Sequence, residues 1–223
     1  MIFSPFKIID LTHSLTPLIP TWNGVSGFQL KKDDQIITYT SSGTHIDAPS
    51  MQASFGLSKG GSIADLSLES LMVPAYVIDV STHAHAHYQI SIEDVQKYEK
   101  AFGVILENSL VIAYTGWSLH WQDAKAYRNA DEKGNPRFPT FTPEAISLLL
   151  ERNIAGIGTD AFSPDPMDSD FPAHKLLFEA GKYIIENMAN CSLLPPKGAY
   201  VIALPMKLLG DEAPARVIGL IPN

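Results

Sequence analysis

The chain has 223 residues, 45% of them hydrophobic and 18% charged, with a formal net charge of −8 at pH 7. That length and apolar content exclude a disordered chain, and the acid surplus argues against a nucleic-acid partner, whose phosphates call for excess Lys and Arg. A single cysteine, Cys191, rules out an intrachain disulfide framework and a multi-cysteine zinc site, so a metal would have to be held by carboxylates and by some of the seven histidines.

In chain order, the N-terminal MIFSPFKIIDLTHSLTP lacks a basic start, a sustained apolar run and a small-residue cleavage site. No stretch approaches the ~20 apolar residues that span a bilayer, so a cytoplasmic protein without membrane contact is expected. Runs rich in β-branched residues predict strands at 7–11, 35–40, 75–80, 109–115, 154–159, 182–187, 200–205 and 216–221. Several are apolar almost throughout, as in AYVIDV, LVIAYT and AYVIALP, which predicts strands covered on both faces. Between them, a short helix is expected at 65–72. A second runs from a Ser91 cap through SIEDVQKYEKAFG, with acids in its first turn. A third opens at Thr142 with Pro143 in the favoured first position, and a short fourth covers 174–180. No linker or repeat divides the chain, so one domain over 1–223 with an α/β layered architecture and a mixed sheet is expected. The Pro-, Gly- and Asp-rich segments 129–139 and 163–172 read as surface loops, of the kind that border sites.

Absent motifs narrow the chemistry: the chain has no G-x-S-x-G elbow, P-loop or H-E-x-x-H. GIGTDA at 156–161 lacks the third glycine of a dinucleotide loop, and the FSPDP that follows is unsuited to opening a helix. Cys191 reads as a packed thiol.

The informative stretch is TYTSSGTHIDAPSM, residues 38–51. His45 and Asp47 lie two apart, so in extended backbone both project from one face, a start on a Zn²⁺ or Mn²⁺ site. Taken alone, H-x-D is short, and hydrogen bonding of the two side chains to each other or to a turn is the better explanation. A second stretch, FPAHKLLFEAGKYIIENMAN, carries His174 and, twelve residues on, Glu186 inside an apolar strand. A carboxylate buried there is unfavourable unless it is paired or coordinates a cation. Two histidines and two carboxylates make a sensible ligand set for a hydrolytic metal.

With IIDLTHSL and PTWNG near the start, TGW at 115–117, GIGTDAFSPD, and the closing LPPKGAYVIALPMKL and PARVIGLIP, the chain resembles the cyclase family of metal-dependent hydrolases, which includes the bacterial kynurenine formamidases. The resemblance spans nearly the whole chain. It implies a swivelling β/β/α fold, one or two divalent ions (zinc or manganese) and hydrolysis of a C–N bond in a small aromatic or cyclic amide substrate. It also implies a homodimer or larger homo-oligomer. Position by position, it assigns His45, Asp47, His174 and Glu186 as metal ligands, with Asp47 able to bridge two ions, and sets Trp22 against the substrate.

Two positions depart from the family pattern H-x-G-T-H-x-D-x-P-x-H. Its leading histidine is Ser41 here, and its trailing, proton-shuttling histidine is Met51. Loss of a general acid–base typically lowers the rate about 10²–10⁴-fold, which leaves Glu186 to move protons. The alternative is a homologue impaired in catalysis that binds a ligand or partner. Asp160, after a buried strand, and Ser41 are candidates to support the ligands from behind. Asp165, Asp168 and Asp170 do not fit an EF-hand loop and read as solvated turn acids. His83, His85 and His87 read as an exposed loop, and His13 and His120 as packing or pocket residues.

Overall fold

Residues 5–57 and 60–223 are described in a computed structural model; the first four residues of the N-terminal stretch read above lie outside them. The strands are β1 (Phe6–Asp10), β2 (Phe28–Leu30), β3 (Ile36–Thr38), β4 (His45–Asp47), β5 (Met72–Asp79), β6 (Gln89–Ile90), β7 (Leu110–Tyr114), β8 (Thr140–Phe141), β9 (Gly156–Thr159), β10 (Tyr183–Glu186), β11 (Ala199–Pro205) and β12 (Glu212–Pro222). Among the helices are α1 (Leu68–Leu71), α2 (Ile92–Phe102), α3 (Ala124–Arg128), α4 (Pro143–Glu151) and α5 (Pro172–Glu179).

Four of the predicted runs, 75–80, 109–115, 154–159 and 182–187, become adjacent parallel strands, β5, β7, β9 and β10. Around them β4, β12 and β11 pair antiparallel, and the order β12-β11-β5-β7-β9-β10-β4 returns to β12. The expected mixed sheet is therefore present, as a closed barrel. β12 makes the closure: its first residues, Glu212–Pro214, pair with β4, and its remainder pairs with β11 and β1.

Side chains alternate across the strands with period two. Inward residues such as Ile46, Val73, Ala75, Ile112, Ile185 and Val201 fill the barrel. Outward residues such as Tyr76, Val111, Ile157 and Ile184 meet a helix layer that includes Val95 of α2, Leu149 of α4 and Leu177 of α5. Parallel strands need such crossover helices, and covering both faces explains their continuous apolarity. Capping follows the sequence. Asp94 Oδ2 accepts from Ser91 N at 2.9 Å, and Thr142 Oγ1 accepts from Ala145 N at 3.1 Å.

Three local expectations are revised, and one pair of strands is added. The 35–40 strand shortens to β3 and pairs with β2 as a hairpin outside the barrel, so it is not covered on both faces. The 65–72 helix resolves into a 3₁₀ turn, Ile63–Asp65, and the single-turn α1, while Met72 opens β5. The 216–221 strand starts four residues earlier, at Glu212; DEAPA carries no apolar alternation, and its strand state comes from pairing with β4. Short strands β6 and β8 form a separate parallel pair that no local pattern marks. The GIG of β9 serves packing, because a Cβ at Gly158 would lie 2.5 Å from Met188 Sδ inside the barrel.

Candidate metal centre

His45 and Asp47 sit within β4 and project from the face opposite Ile46, as their spacing predicts. On the neighbouring strand Glu186 pairs directly with His45, and Ile184 with Asp47. Since Ile185 points into the barrel, Glu186 points out with the pair on β4. The head of α5 then lowers His174 over them. All four residues are buried.

The imidazole tautomers are set from behind. Nδ1 of His45 lies 2.9 Å from the Gly43 carbonyl, which only accepts, so Nδ1 donates and Nε2 is left free. Gly43 has φ +67, and a Cβ there would meet Leu15 Cδ2 at 2.5 Å, so glycine is required for this approach. Nδ1 of His174 likewise donates to Asp165 Oδ2 at 2.7 Å. Asp165 is fully buried and also accepts the backbone N–H groups of Ala173 and His174 at 3.0 and 2.9 Å. It is thus not a solvated turn acid, as its loop composition suggested; it caps α5 from a distance because the residue in the cap position, Phe171, offers no side-chain acceptor. Asp168 and Asp170 do lie at the surface, pairing with Arg137 and Lys175.

Both free Nε2 atoms face the same two carboxylates. His45 Nε2 is 3.3 Å from Asp47 Oδ1 and 3.4 Å from Glu186 Oε2. His174 Nε2 is 3.6 Å from Asp47 Oδ2 and from Glu186 Oε1. Each carboxylate therefore offers one oxygen to each imidazole. Ligands 2.0–2.2 Å from a tetrahedral zinc lie about 3.3–3.6 Å apart, the spacing seen here. Asp47 Oδ1 and Glu186 Oε1 are buried with no hydrogen-bond partner, a state normally resolved by water or an ion. The residues present fit a divalent cation.

Electrostatics agree. Burial alone would depress the His45 imidazole, but the Asp47 charge and the hydrogen bond and charge of Glu186 outweigh it and raise its pKa to about 10. For His174, burial is likewise outweighed by hydrogen bonds to Asp165 and Asp47 and by the Glu186 charge, again to about 10. Burial, and then the Asp47 charge, raise the Glu186 carboxyl. Without metal, protons on the imidazoles supply the positive charge that the carboxylates demand.

Three supporting residues escaped sequence reasoning. Asp165 is one. Asn187, in left-handed backbone at φ 54, donates to the Gly43 carbonyl at 3.1 Å and accepts from Tyr127 Oη at 2.8 Å. Glu212 pairs across β12 with Asp47, on the same outward face, and Thr40 Oγ1 donates to its Oε2 at 2.7 Å. Burial and the Asp47 charge raise its carboxyl too. Neither Asp165 nor Glu212 carried a signal: the first lies in an irregular loop before α5, and the second in a strand whose partner is β4.

These residues floor a cavity of about 430 Å³. Its walls carry five aromatic rings, Trp22, Tyr39, Phe55, Phe162 and Phe171. Trp22 is half-buried against Phe138 and Phe162, with ring centroids 5.7 and 5.8 Å away. Met51 lines the cavity beside Phe55, and Ser41 lies exposed at its edge. Asp160 is spent elsewhere: it accepts from Thr115 N and Oγ1 at 2.8 and 2.6 Å and from Ser118 Oγ at 3.1 Å, bracing the loop after β7. His13 stacks on Trp121 at 4.0 Å, and burial lowers its pKa to about 4. His83, His85, His87 and His120 are exposed.

A family model described as "Putative cyclase" matches residues 9–166. An isatin hydrolase from Roseibium aggregatum is 35% identical over 190 residues, covering 82% of this chain and 72% of its own. A kynurenine formamidase from Salinibacter ruber is 29% identical over 227 residues, covering 95% and 96%. Among solved structures, isatin hydrolase A from Ralstonia solanacearum superposes with a TM-score of 0.87 at 28% identity, covering 97% of this chain and 92% of that one. A potential metal-dependent hydrolase with cyclase activity gives 0.75 at 25% identity, covering 98% and 99%.

Proposed function

The chain belongs to the cyclase family, and from that premise we propose that it is a metal-dependent hydrolase that cleaves a C–N bond of a small aromatic or cyclic amide. The observation that carries this reading is the pair of buried, unpartnered oxygens, Asp47 Oδ1 and Glu186 Oε1, set between two imidazoles at the floor of an aromatic cavity. His45, Asp47, His174 and Glu186 would supply the ligands for one or two ions, and the mixed nitrogen and oxygen donors suit zinc or manganese. When bound, such an ion supplies a Lewis acid and brings the pKa of water to about 7. Trp22, Phe55 and Phe171 clasp the planar substrate and exclude water from around the amide. The Glu186 carboxylate, held loosely as a ligand, would carry the proton from the attacking water towards the departing nitrogen.

The relatives' names support the substrate class: isatin is an aromatic cyclic amide, and a formamidase acts on an open formamide. A homodimer or larger homo-oligomer belongs to the same reading, and the exposed Leu30, Ile36 and Ile37 of the β2–β3 hairpin are apolar surface that a second copy would cover. No helix among the described residues is long and apolar enough to cross a membrane.

The test is metal analysis together with hydrolysis of a panel containing isatin and aromatic formamides. Metal-loaded protein that turns over a panel member is the expected result. A preparation reconstituted with Zn²⁺ or Mn²⁺ that shows neither bound metal nor turnover would overturn the proposal.

One observation favours a second reading, a binding protein impaired in catalysis. Met51 stands in the cavity wall with no group able to carry a proton. A Met51→His variant separates the two: turnover by the variant alone supports the binding reading, and turnover by the wild type ends it.

A further inference from the structure

The donor atoms around Asp47 fall into two groups, each with all its atoms within 4.8 Å of one another. One comprises Asp47, His174 and Glu186; the other comprises His45, Asp47 and Glu212. Asp47 belongs to both and splits its oxygens between them, Oδ1 towards His45 and Oδ2 towards His174. Glu212 reaches the second group because the start of β12 pairs with β4, opposite Asp47 and two residues along from the Pro214–His45 pair, which keeps it on the same face. Two carboxylates directly opposite on an antiparallel pair repel and are destabilising unless a cation lies between them. Thr40 Oγ1 orients Glu212 and takes up only one of the carboxylate's roughly four acceptor positions. An independent observation points to a ligand at the same place: Asp47 Oδ1 is the oxygen on this side, Asp47 is only 2% exposed, and that atom has no hydrogen-bond partner.

We propose that Glu212 is a metal ligand, completing with His45 and Asp47 a second divalent-cation position beside the one formed by Asp47, His174 and Glu186. The proposal rests on the reading of the site as a metal centre and deepens it. Asp47 bridges the two ions, one on each oxygen. Glu212 is this chain's own contribution, delivered by β12, whereas the other four ligands come from β4, β10 and α5. Carboxylate and imidazole donors suit Mn²⁺ or Zn²⁺ in both positions.

The experiment strips the full-length protein with a chelator and titrates it with Mn²⁺ alone, reading stoichiometry by calorimetry and elemental analysis. Two equivalents per chain are expected for the wild type and one for Glu212→Gln, with far-ultraviolet circular dichroism reporting the fold of the variant. Electron paramagnetic resonance of the wild type gives a reading that needs no variant: an exchange-coupled Mn²⁺ pair is expected at two equivalents. A wild type that saturates at one equivalent while still hydrolysing its substrate would overturn the second position and leave the proposed function standing. Two equivalents retained by Glu212→Gln would remove Glu212 from the ligand set. No metal uptake and no turnover by the wild type would overturn both.

Discussion

Asp165 Oδ2 accepts the Nδ1–H of His174 at 2.7 Å while the same carboxylate accepts two backbone N–H groups at the head of α5. One buried side chain thereby fixes the start of the helix, the orientation of the ring and the tautomer that aims Nε2 at Asp47 and Glu186. Carboxylates behind metal-ligating histidines commonly contribute 10–100-fold in metal affinity.

For Asp165→Asn we expect metal affinity to fall about 10–100-fold. The amide can still accept a backbone N–H, but it no longer polarises the imidazole. Calorimetric titration with Zn²⁺ or Mn²⁺ measures this, and unchanged affinity would refute the role assigned to Asp165.

Stability of the metal-free protein should depend on pH in a defined direction. Both site imidazoles have pKa values raised from 6.5 to about 10 in the folded chain. Raised histidines stabilise the fold fully below about pH 6.5, and that contribution is lost as pH climbs through about 10. In chelator, Tm should therefore fall across this window. Added metal, which needs neutral imidazoles, should stabilise increasingly over the same range. A flat Tm from pH 6 to 10 in both conditions would contradict the assignment.

Trp22→Ala should act on substrate binding. Trp22 stands in the cavity wall, and removing an aromatic contact of this kind is expected to raise KM for an aromatic amide about tenfold, roughly 1.4 kcal/mol. With kcat within about threefold of wild type, the loss is uniform binding. A fall confined to kcat would instead place Trp22 in the chemistry.

Gly156→Ala tests the packing role of the GIG segment. A Cβ there would run into the Tyr183 backbone carbonyl across the β9–β10 pair. Overpacking of this sort typically costs about 1–3 kcal/mol, or a Tm lower by about 2–4 °C for each kcal/mol at this chain length. Thermal melts of the two proteins decide it.

Much of the barrel was legible because its parallel strands are buried on both faces and so read as apolar runs. The β2–β3 hairpin and the first residues of β12 were misread for the opposite reason: their backbone state comes from partners elsewhere in the chain. His45, Asp47, His174 and Glu186 stood out through spacing and through the oddity of an acid in YIIENM. Asp165 was hidden in a loop whose composition suits solvent, and Glu212 in a segment with no strand pattern.

The sequence by itself determined the apolar runs that make a sheet, the absence of a cysteine cage, and the four side chains that are candidates to hold a cation. Tertiary structure alone decided how they meet. Pairing of β4 with both β10 and β12 put Glu186 on one side of the His45–Asp47 pair and Glu212 on the other. Register supplies the physical reason: a side chain's face follows from its own strand, but its neighbours are chosen by which strand lies alongside. That choice separates four candidate ligands in a sequence from a centre with two overlapping groups of donors.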